Sequence, residues 1–133
     1  MAWQIKDMSD GRSPAPTLIR GPAELRAELD RLAGLTPRIV EIGPVRAGCL
    51  LIGIGGPWMS VEYCQLNPWR AETAVRDPDT PTEARPESAW YACDDEWTEI
   101  PGENLLPADQ AAELIIAILS SGTIPSDARW KPT

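Results

Sequence analysis

Carboxylates are the most abundant chemically active groups in this 133-residue sequence, and they are concentrated in one segment. Residues 77–103 contain nine acidic residues and one basic residue, Arg85, so this segment accounts for the whole formal net charge of the chain, -8. Paired carboxylates such as Asp94 and Asp95 are groups that general acid and base catalysis uses. Adjacent residues on a turn rarely converge on one substrate, so this pair does not by itself indicate an active site.

The groups that most enzymes need are missing from the sequence. There is no histidine, which is the commonest general base near neutral pH and the commonest metal ligand. The glycine-rich segment 53–56 is followed by Pro57 and not by the Gly-Lys-Ser/Thr run of a phosphate-binding loop. The cysteines are Cys49, Cys64 and Cys93. They are too scattered for a zinc site and are expected to be buried thiols. We therefore predict a protein that is not an enzyme and that uses no cofactor and no metal ion.

The acidic segment favours a binding role, because Trp90, Tyr91 and Trp97 are interleaved with its carboxylates. Carboxylates attract a basic protein partner from a distance, and desolvated aromatic side chains then hold it. The predicted partner-binding residues are Glu62, Trp90, Asp94, Asp95, Glu96, Trp97 and Glu99. The alternative is that the carboxylates are ordinary solvated surface and that the tryptophans fill the core or its rim.

Composition indicates one globular domain over residues 1–133. Apolar residues make up 43% of the chain and charged residues 24%, which is ordinary for a folded protein with a single core. An acidic chain is poorly suited to bind nucleic acid directly or to attach to an anionic membrane surface. The sequence shows neither a signal peptide nor a transmembrane segment. An odd number of scattered cysteines favours a reducing location, and we expect a cytoplasmic protein.

Two segments have the periodicity of amphipathic helices. Leucines spaced at i, i+4 and i+7 predict the first helix over residues 22–33. Pro107 opens the second helix, whose wide apolar stripe ends at Gly122. Residues 1–20 contain several Pro, Gly, Ser and Asp, which predicts an irregular N-terminal arm with at most a short strand at residues 2–5.

The middle of the chain has the rhythm of antiparallel strands joined by turns. The predicted strands are residues 38–42, 49–54, 58–64, 70–76, 88–93 and 96–100. The second run is apolar at nearly every position, which indicates a central strand covered on both faces. In the third run apolar and polar residues alternate, so Glu62 faces away from the core. Asp94 and Asp95 predict a tight hairpin connection. Together these elements predict an α+β domain, a curled antiparallel sheet of five or six strands with two helices packed on it.

The carboxyl half of the chain contains a spaced set of motifs. Residues 99–107, Glu-Ile-Pro-Gly-Glu-Asn-Leu-Leu-Pro, lead into the alanine-rich second helix. Residues 121–125, Ser-Gly-Thr-Ile-Pro, and a near-terminal Arg129-Trp130 follow it. With the glycine-rich turn at 53–56, these motifs resemble the immunity proteins of bacterial polymorphic-toxin systems, whose members often pair with nucleic-acid deaminase toxins. The resemblance implies framework roles for four residues: Pro107, Gly122, Pro125 and Trp130.

The resemblance implies an antitoxin whose partner is the C-terminal domain of a cognate toxin that acts on nucleic acid. The negative charge of residues 77–103 suits such a partner, because a protein that acts on DNA or RNA presents a basic cleft to phosphate. We expect an acidic surface to occlude this cleft without any chemistry. Two alternatives stay open: an acidic interaction or adaptor domain of unrelated role, and a small-ligand-binding domain with a pocket between sheet and helices.

Overall fold

The computed structural model describes residues 2–12, 15–66, 69–75, 86–124 and 129–132. Its helices are α1 (Pro22–Ala33) and α2 (Ala108–Ser121), and a short 3-10 helix covers Gly102–Asn104. Its strands are β1 (Trp3–Asp7), β2 (Thr17–Ile19), β3 (Arg38–Val45), β4 (Gly48–Ile54), β5 (Trp58–Gln65), β6 (Arg70–Val75), β7 (Ser88–Cys93), β8 (Glu96–Pro101), β9 (Leu106–Pro107) and β10 (Arg129–Pro132).

The strands form one large open sheet, in which the main path runs in the order β10-β6-β5-β4-β3-β1-β2. All neighbours along this path are antiparallel. Strands β7 and β8 form a hairpin, which joins the path through a parallel pairing of Arg38 with Ala92. The short β9 pairs with the start of β5. The prediction of two helices and a large antiparallel sheet is confirmed.

The predicted number of strands is wrong. The described part of the chain forms a ten-stranded sheet, not one of five or six strands. The six predicted runs correspond to β3 through β8, with small differences at their ends. The additional strands are β2, β9 and β10, whereas β1 corresponds to the short strand allowed at residues 2–5. Strands β1 and β2 both lie in the expected irregular arm, and each has a partner strand that defines its extended backbone.

One face of the sheet and the two helices enclose the hydrophobic core. Every second side chain of β4 and β5 points to this face, and these side chains are Leu50, Ile52, Ile54, Met59, Val61 and Tyr63. The buried stripe of α1, which includes Leu25 and Leu29, and that of α2, which includes Ile115 and Ile118, belong to the same core. Strand β4 is central as predicted, since β3 and β5 flank it.

Local backbone chemistry defines the ends of the helices. Pro107 immediately precedes α2, and Gly122 ends it with a φ of 71°, a conformation that glycine adopts without a Cβ penalty. The Gly122 N–H donates a hydrogen bond to the Ile118 carbonyl at 2.8 Å. Helix α1 begins at Pro22 and is followed by Gly34. The predicted bounds of both helices are confirmed.

The C-terminal strand secures the end of the chain. Trp130 lies opposite Ala74 in the pairing of β10 with β6, and its partly buried side chain packs against the core. The implied framework role of Trp130 agrees with this packing. Pro125 and the acidic loop at 77–85 lie outside the described residues.

Gly48 provides a test of the β4–β5 pairing. A Cβ at Gly48 would collide with the backbone carbonyl of Cys64 on β5. This carbonyl belongs to the hydrogen-bonded backbone of the β4–β5 pair and cannot move aside as a side chain can. Gly48→Ala is therefore expected to lower the free energy of unfolding by about 1 to 3 kcal/mol, the usual cost of overpacking. Urea unfolding measures the change. Gly34→Ala is the control, since Gly34 has a right-handed backbone with a φ of -86° and a Cβ there would lie 3.6 Å from the Arg31 carbonyl, an ordinary contact. Equal stability of the two variants would contradict the described register.

Candidate functional site

The candidate site is built on the hairpin of β7 and β8. The two strands pair in register up to Cys93 opposite Glu96. Asp94 and Asp95 form the connecting turn with φ values of 51° and 64°. A two-residue type I′ turn needs this left-handed conformation, which aspartate tolerates better than most residues. The predicted tight connection is confirmed.

Tyr91 fixes the hairpin to the sheet face that points away from the helices. The Tyr91 ring is 1% exposed, and its hydroxyl donates a hydrogen bond to the Trp58 carbonyl at 2.8 Å. The ring lies over Gly53, where an added Cβ would be 3.2 Å from the ring and 2.5 Å from Ser60 Oγ. The absence of a side chain at Gly53 therefore lets the hairpin approach β4 closely.

Backbone hydrogen bonds tie the tip of the hairpin to the segment after β1. The Asp94 N–H donates to the Met8 carbonyl at 2.8 Å, and the Asp95 N–H donates to the Ser9 carbonyl at 3.2 Å. In return, the Gly11 N–H donates to the Asp95 carboxylate at 3.1 Å. Asp95 thus stabilises the attachment of the tip as well as contributing charge.

Asp7 supports the segment that binds the tip. Its carboxylate accepts hydrogen bonds from the Ser9 N–H at 2.9 Å and from the Arg38 guanidinium at 2.7 Å. Partial burial raises the pKa of Asp7, but these hydrogen bonds and the Arg38 charge outweigh burial and leave the pKa below its usual value. The ionised Asp7 carboxylate therefore stabilises this segment near neutral pH, and the stabilisation is lost as the pH falls through the lowered pKa of Asp7.

The outer side of the hairpin carries two exposed tryptophans. Trp90 lies opposite Glu99 and Trp97 lies opposite Ala92, so these side chains share one face. Trp90 is 52% exposed and Trp97 is 57% exposed. The Ser88 hydroxyl donates a hydrogen bond to the Glu99 carboxylate at 2.9 Å, which orients it. We name the surface formed by Trp90, Trp97 and Glu99 the tryptophan face.

The charge around the hairpin is of one sign. Residues 86–124 contain no lysine or arginine. Glu103, just after the hairpin, pairs with Lys131 of β10 at 2.6 Å. Within the described ranges, no ion pair involves the exposed hairpin carboxylates, which are those of Asp94, Asp95, Glu96 and Glu99. The hairpin therefore presents a negative field to an approaching partner.

A groove separates the hairpin from the outer face of the sheet. Its volume is about 360 Å³, within the range of roughly 300 to 1,000 Å³ that ligand pockets cover. The groove lining includes Leu51, Glu62 and Thr73 from the sheet, and Cys93, Thr98 and Asn104 from the other side. In the part of the chain that the structure describes, the side-chain oxygen of Asn104 is buried without a hydrogen-bond partner.

The prediction of buried thiols is wrong, because all three cysteines are only partly buried. Cys49 and Cys64 are half-buried cross-strand neighbours, and Cys93 is half-buried in the groove lining. Burial raises the pKa of all three thiols, and for Cys49 burial together with the adjacent Glu41 raises the pKa to about 12. They are therefore protonated near neutral pH. Strand alternation could not reveal this environment, because it does not say how completely the outer face is covered.

The structure brings the predicted partner-binding residues together in two places. Six of them are on the hairpin: Trp90, Asp94, Asp95, Glu96, Trp97 and Glu99. Glu62 lies apart from them on β5, across the groove. Their contact with a partner stays a prediction. The predicted partner-binding residues did not include Asn104 and Thr98 of the groove or Trp69, which is 68% exposed. The Asn67-Pro68 turn signal just before Trp69 was a local indication of its exposure.

The fold and the site define an α+β protein whose prominent surface is an acidic, tryptophan-bearing hairpin beside a groove. No helix in the described ranges is long and apolar enough to cross a membrane. Among the same residues, no cluster of three or more His, Cys, Asp or Glu is placed to hold a metal ion. Such a surface is suited to binding another protein.

A family model described as Immunity protein Imm1 matches residues 13–132. The match covers most of the chain, so the chain belongs to the Imm1 family of immunity proteins. The resemblance noted in the carboxyl half is therefore confirmed, and it extends into the N-terminal segment. No curated protein matches the chain.

Proposed function

We propose that this protein neutralises its cognate toxin by docking on it through the β7–β8 hairpin. Membership of the Imm1 family supports an immunity role and hence a toxin partner. Our finer proposal is that the toxin domain is a nucleic-acid deaminase or nuclease and that this protein covers its substrate cleft in the cytoplasm. The protein itself binds neither nucleic acid nor membrane, and it inhibits by occlusion, without catalysis.

The observation that carries this proposal is the combination of unmixed negative charge and two exposed tryptophans on one hairpin. A cleft that holds phosphates is basic, so an inhibitor of it needs carboxylates at its own surface. Trp90 and Trp97 are the residue type that most often dominates the energy of protein interfaces. The hairpin offers both properties on an element that Tyr91 and the N-terminal segment hold in place.

The two kinds of side chain have different roles in this mechanism. Protection of the producing cell requires a dissociation constant of the order of nanomolar or lower, which corresponds to about 12 kcal/mol of binding free energy. Desolvation of the tryptophans supplies much of this energy, since hot-spot residues each contribute about 2 kcal/mol or more. The carboxylates mainly raise the association rate and select a basic partner.

The groove supports a second candidate, a small-ligand-binding role. Its volume of about 360 Å³ is sufficient for a small molecule, and the polar groups of Ser60, Glu62 and Asn104 interrupt an otherwise largely apolar lining. A bound ligand would raise the melting temperature of the purified protein and would be released on denaturation. Mass spectrometry of the supernatant after denaturation tests this candidate.

Co-expression with the toxin domain encoded beside this chain's gene tests the immunity proposal. We expect the host cells to survive and the two proteins to be recovered as a stable complex by pull-down. A toxin that is neither bound nor neutralised would overturn the proposal. A toxin that is neutralised equally well after removal of the tryptophan face would retain the immunity role and overturn the docking mode.

Neutralising the hairpin tip is expected to slow association. The variant Asp94→Asn, Asp95→Asn, Glu96→Gln removes three negative charges, while asparagine keeps the tolerance for positive φ that the turn needs. We expect the association rate with the toxin to fall about 3- to 10-fold at low ionic strength, and to depend less on salt, with little change in dissociation. Stopped-flow fluorescence at several salt concentrations measures both effects.

A matched variant on the helix side controls for net charge. Asp30→Asn, Asp109→Asn, Glu113→Gln removes the same charge from exposed positions of α1 and α2. We expect its association kinetics to resemble those of the wild type. An equal loss in both variants would mean that net charge, and not the hairpin, controls the encounter. Unchanged kinetics in the hairpin variant would show its carboxylates to be ordinary solvated surface.

A further inference from the structure

We infer that the groove between β5 and the hairpin receives an arginine side chain of the toxin. This inference rests on the proposed immunity function and deepens it by naming a second contact, distinct from the tryptophan face. The groove is about 360 Å³, and its lining combines an apolar wall with oxygen acceptors. That combination matches a side chain with a long aliphatic stem and a donor-rich, positively charged end.

The acceptors of the groove are the first reason for this inference. Among the described residues, the Glu62 carboxylate accepts a long hydrogen bond from the Thr73 hydroxyl at 3.5 Å, and a carboxylate has about four lone-pair sites. The buried side-chain oxygen of Asn104 has no partner among the described residues, and a buried acceptor without a donor is unfavourable. A guanidinium carries five N–H donors in a planar fork, so one group that enters the groove donates to Glu62 directly, and to the Asn104 oxygen once that side chain turns toward the cavity.

The charge inside the groove is the second reason. Its lining contains carboxylates but no lysine or arginine among the described residues. In the sheet, Glu62 lies between Leu51 on β4 and Thr73 on β6, so neither cross-strand neighbour neutralises it. Lys131, which continues the same row on β10, is paired with Glu103. Among the described residues, no cation pairs with the half-buried Glu62 carboxylate.

The position of the groove is the third reason. Glu99 belongs both to the groove lining and to the tryptophan face. The tryptophan face and the groove are formed by opposite sides of the same two strands, so a partner that covers the edge of the hairpin reaches both. A toxin that binds nucleic acid has a basic, phosphate-binding cleft, and arginines are exposed in that cleft. Ile39, Leu51 and Ile100 line the groove and would pack against the methylenes of the inserted side chain.

The first test separates groove charge from surface charge. Glu62→Gln removes the charge at the groove. We expect it to raise the dissociation rate of the toxin complex about 10- to 100-fold and to leave the association rate within about 2-fold of the wild-type value. The reason is that a partly buried charge pair mainly controls dissociation. Glu41→Gln is the matched control, since Glu41 points to the same side of the sheet but is not part of the groove lining. Its dissociation rate should stay at the wild-type value.

A second variant fills the groove without changing its charge. Leu51→Trp places an indole where Leu51 lines the groove, and we expect it to weaken binding at least as much as Glu62→Gln. Circular dichroism and urea unfolding confirm that each variant is folded before its kinetics are read. If Leu51→Trp weakens binding and Glu62→Gln does not, the occupant is apolar and the arginine inference is overturned.

A native cysteine reports on the groove without any substitution. Cys93 lines the groove, whereas Cys64 lies on β5 outside the groove lining. We expect the toxin to slow alkylation of Cys93 by N-ethylmaleimide, measured by peptide mass spectrometry, while the rate at Cys64 stays unchanged.

Failure of the inference is distinguishable from failure of the proposed function. A wild-type protein that neither binds nor neutralises the toxin would overturn the immunity proposal itself. A wild-type protein that binds and protects, with wild-type kinetics for both groove variants and no protection of Cys93, would overturn the arginine inference alone.

Discussion

Replacing Trp90 and Trp97 together by alanine is expected to weaken the toxin complex about a thousandfold or more, with little change in the stability of the free protein. Trp90 is 52% exposed and Trp97 is 57% exposed, so the fold loses little packing when they are truncated. In a complex both rings become desolvated, and each truncation of such an anchor costs about 2 kcal/mol or more. Since 1.4 kcal/mol is a factor of ten, the two together account for the expected loss.

Trp69 provides the matched control for this prediction. It is 68% exposed and precedes β6, whose partners in the sheet are β5 and β10 and not the hairpin strands. Trp69→Ala removes an indole of the same size and is expected to leave the dissociation constant unchanged. Calorimetric titration of the three proteins with the toxin domain gives the comparison, and urea unfolding gives their stabilities. Loss of binding in the Trp69 variant alone would move the interface to the connection between β5 and β6.

The elements that could be predicted from the sequence have strong local signals. Helix α1 has leucines on one stripe between Gly21-Pro22 and Gly34, and α2 has Pro107 before it and Gly122 after it. Strands β3 to β8 are apolar or alternating runs that Gly, Pro, Asn or Asp separate. The hairpin turn at Asp94-Asp95 was predicted without a glycine, because aspartate is itself a turn residue.

The terminal strands lack such signals. Strand β2 is three residues long, and β1 and β10 are short and lie near Pro, Ser and Asp residues that favour loops. Their backbone is extended because neighbouring strands offer edges with free hydrogen-bonding groups: β3 pairs with β1, β1 pairs with β2, and β6 pairs with β10. Sheet edges are properties of the assembled fold, so a window along the chain does not reveal them.

The groove depends on a still more distant contact. The hairpin docks because Arg38 pairs with Ala92, Tyr91 packs on Gly53, and the tip binds the segment after β1. These contacts join residues far apart in sequence, and no periodicity encodes them. The alternation of β5 placed Glu62 on the outer face, but it gave no indication that a second layer stands over that face and encloses a cavity.

Truncation of Tyr91 is expected to have the largest effect on the fold at this site. Tyr91→Ala removes a ring that is 1% exposed, and large-to-small changes of a buried aromatic cost about 3 to 5 kcal/mol. We expect the hairpin itself to lose stability as well as the whole fold, because the ring and its hydrogen bond to Trp58 attach the hairpin to the sheet. Amide hydrogen exchange should show reduced protection in β7 and β8 relative to β4, and toxin binding should weaken although both tryptophans remain.

Tyr91→Phe separates the hydroxyl from the ring and gives the prediction a pH signature. This variant keeps the packing and leaves the Trp58 carbonyl without its donor, so we expect a loss of about 1 to 2 kcal/mol at neutral pH. Burial raises the pKa of Tyr91 to about 12, against about 10 in the unfolded chain.

The contribution of the neutral phenol is fully present below pH about 10. Between about pH 10 and 12 the Tyr91 phenol ionises in the unfolded chain but stays neutral in the folded protein. The free energy of unfolding of the wild type should therefore fall by up to about 2 to 3 kcal/mol because of this group. Tyr91→Phe has no phenol, so its free energy of unfolding should not show this decrease. Urea unfolding of both proteins at neutral and alkaline pH tests it. Parallel pH profiles for the two proteins would mean that Tyr91 is not buried against the sheet, and the hairpin would then lack the anchor on which the interface depends.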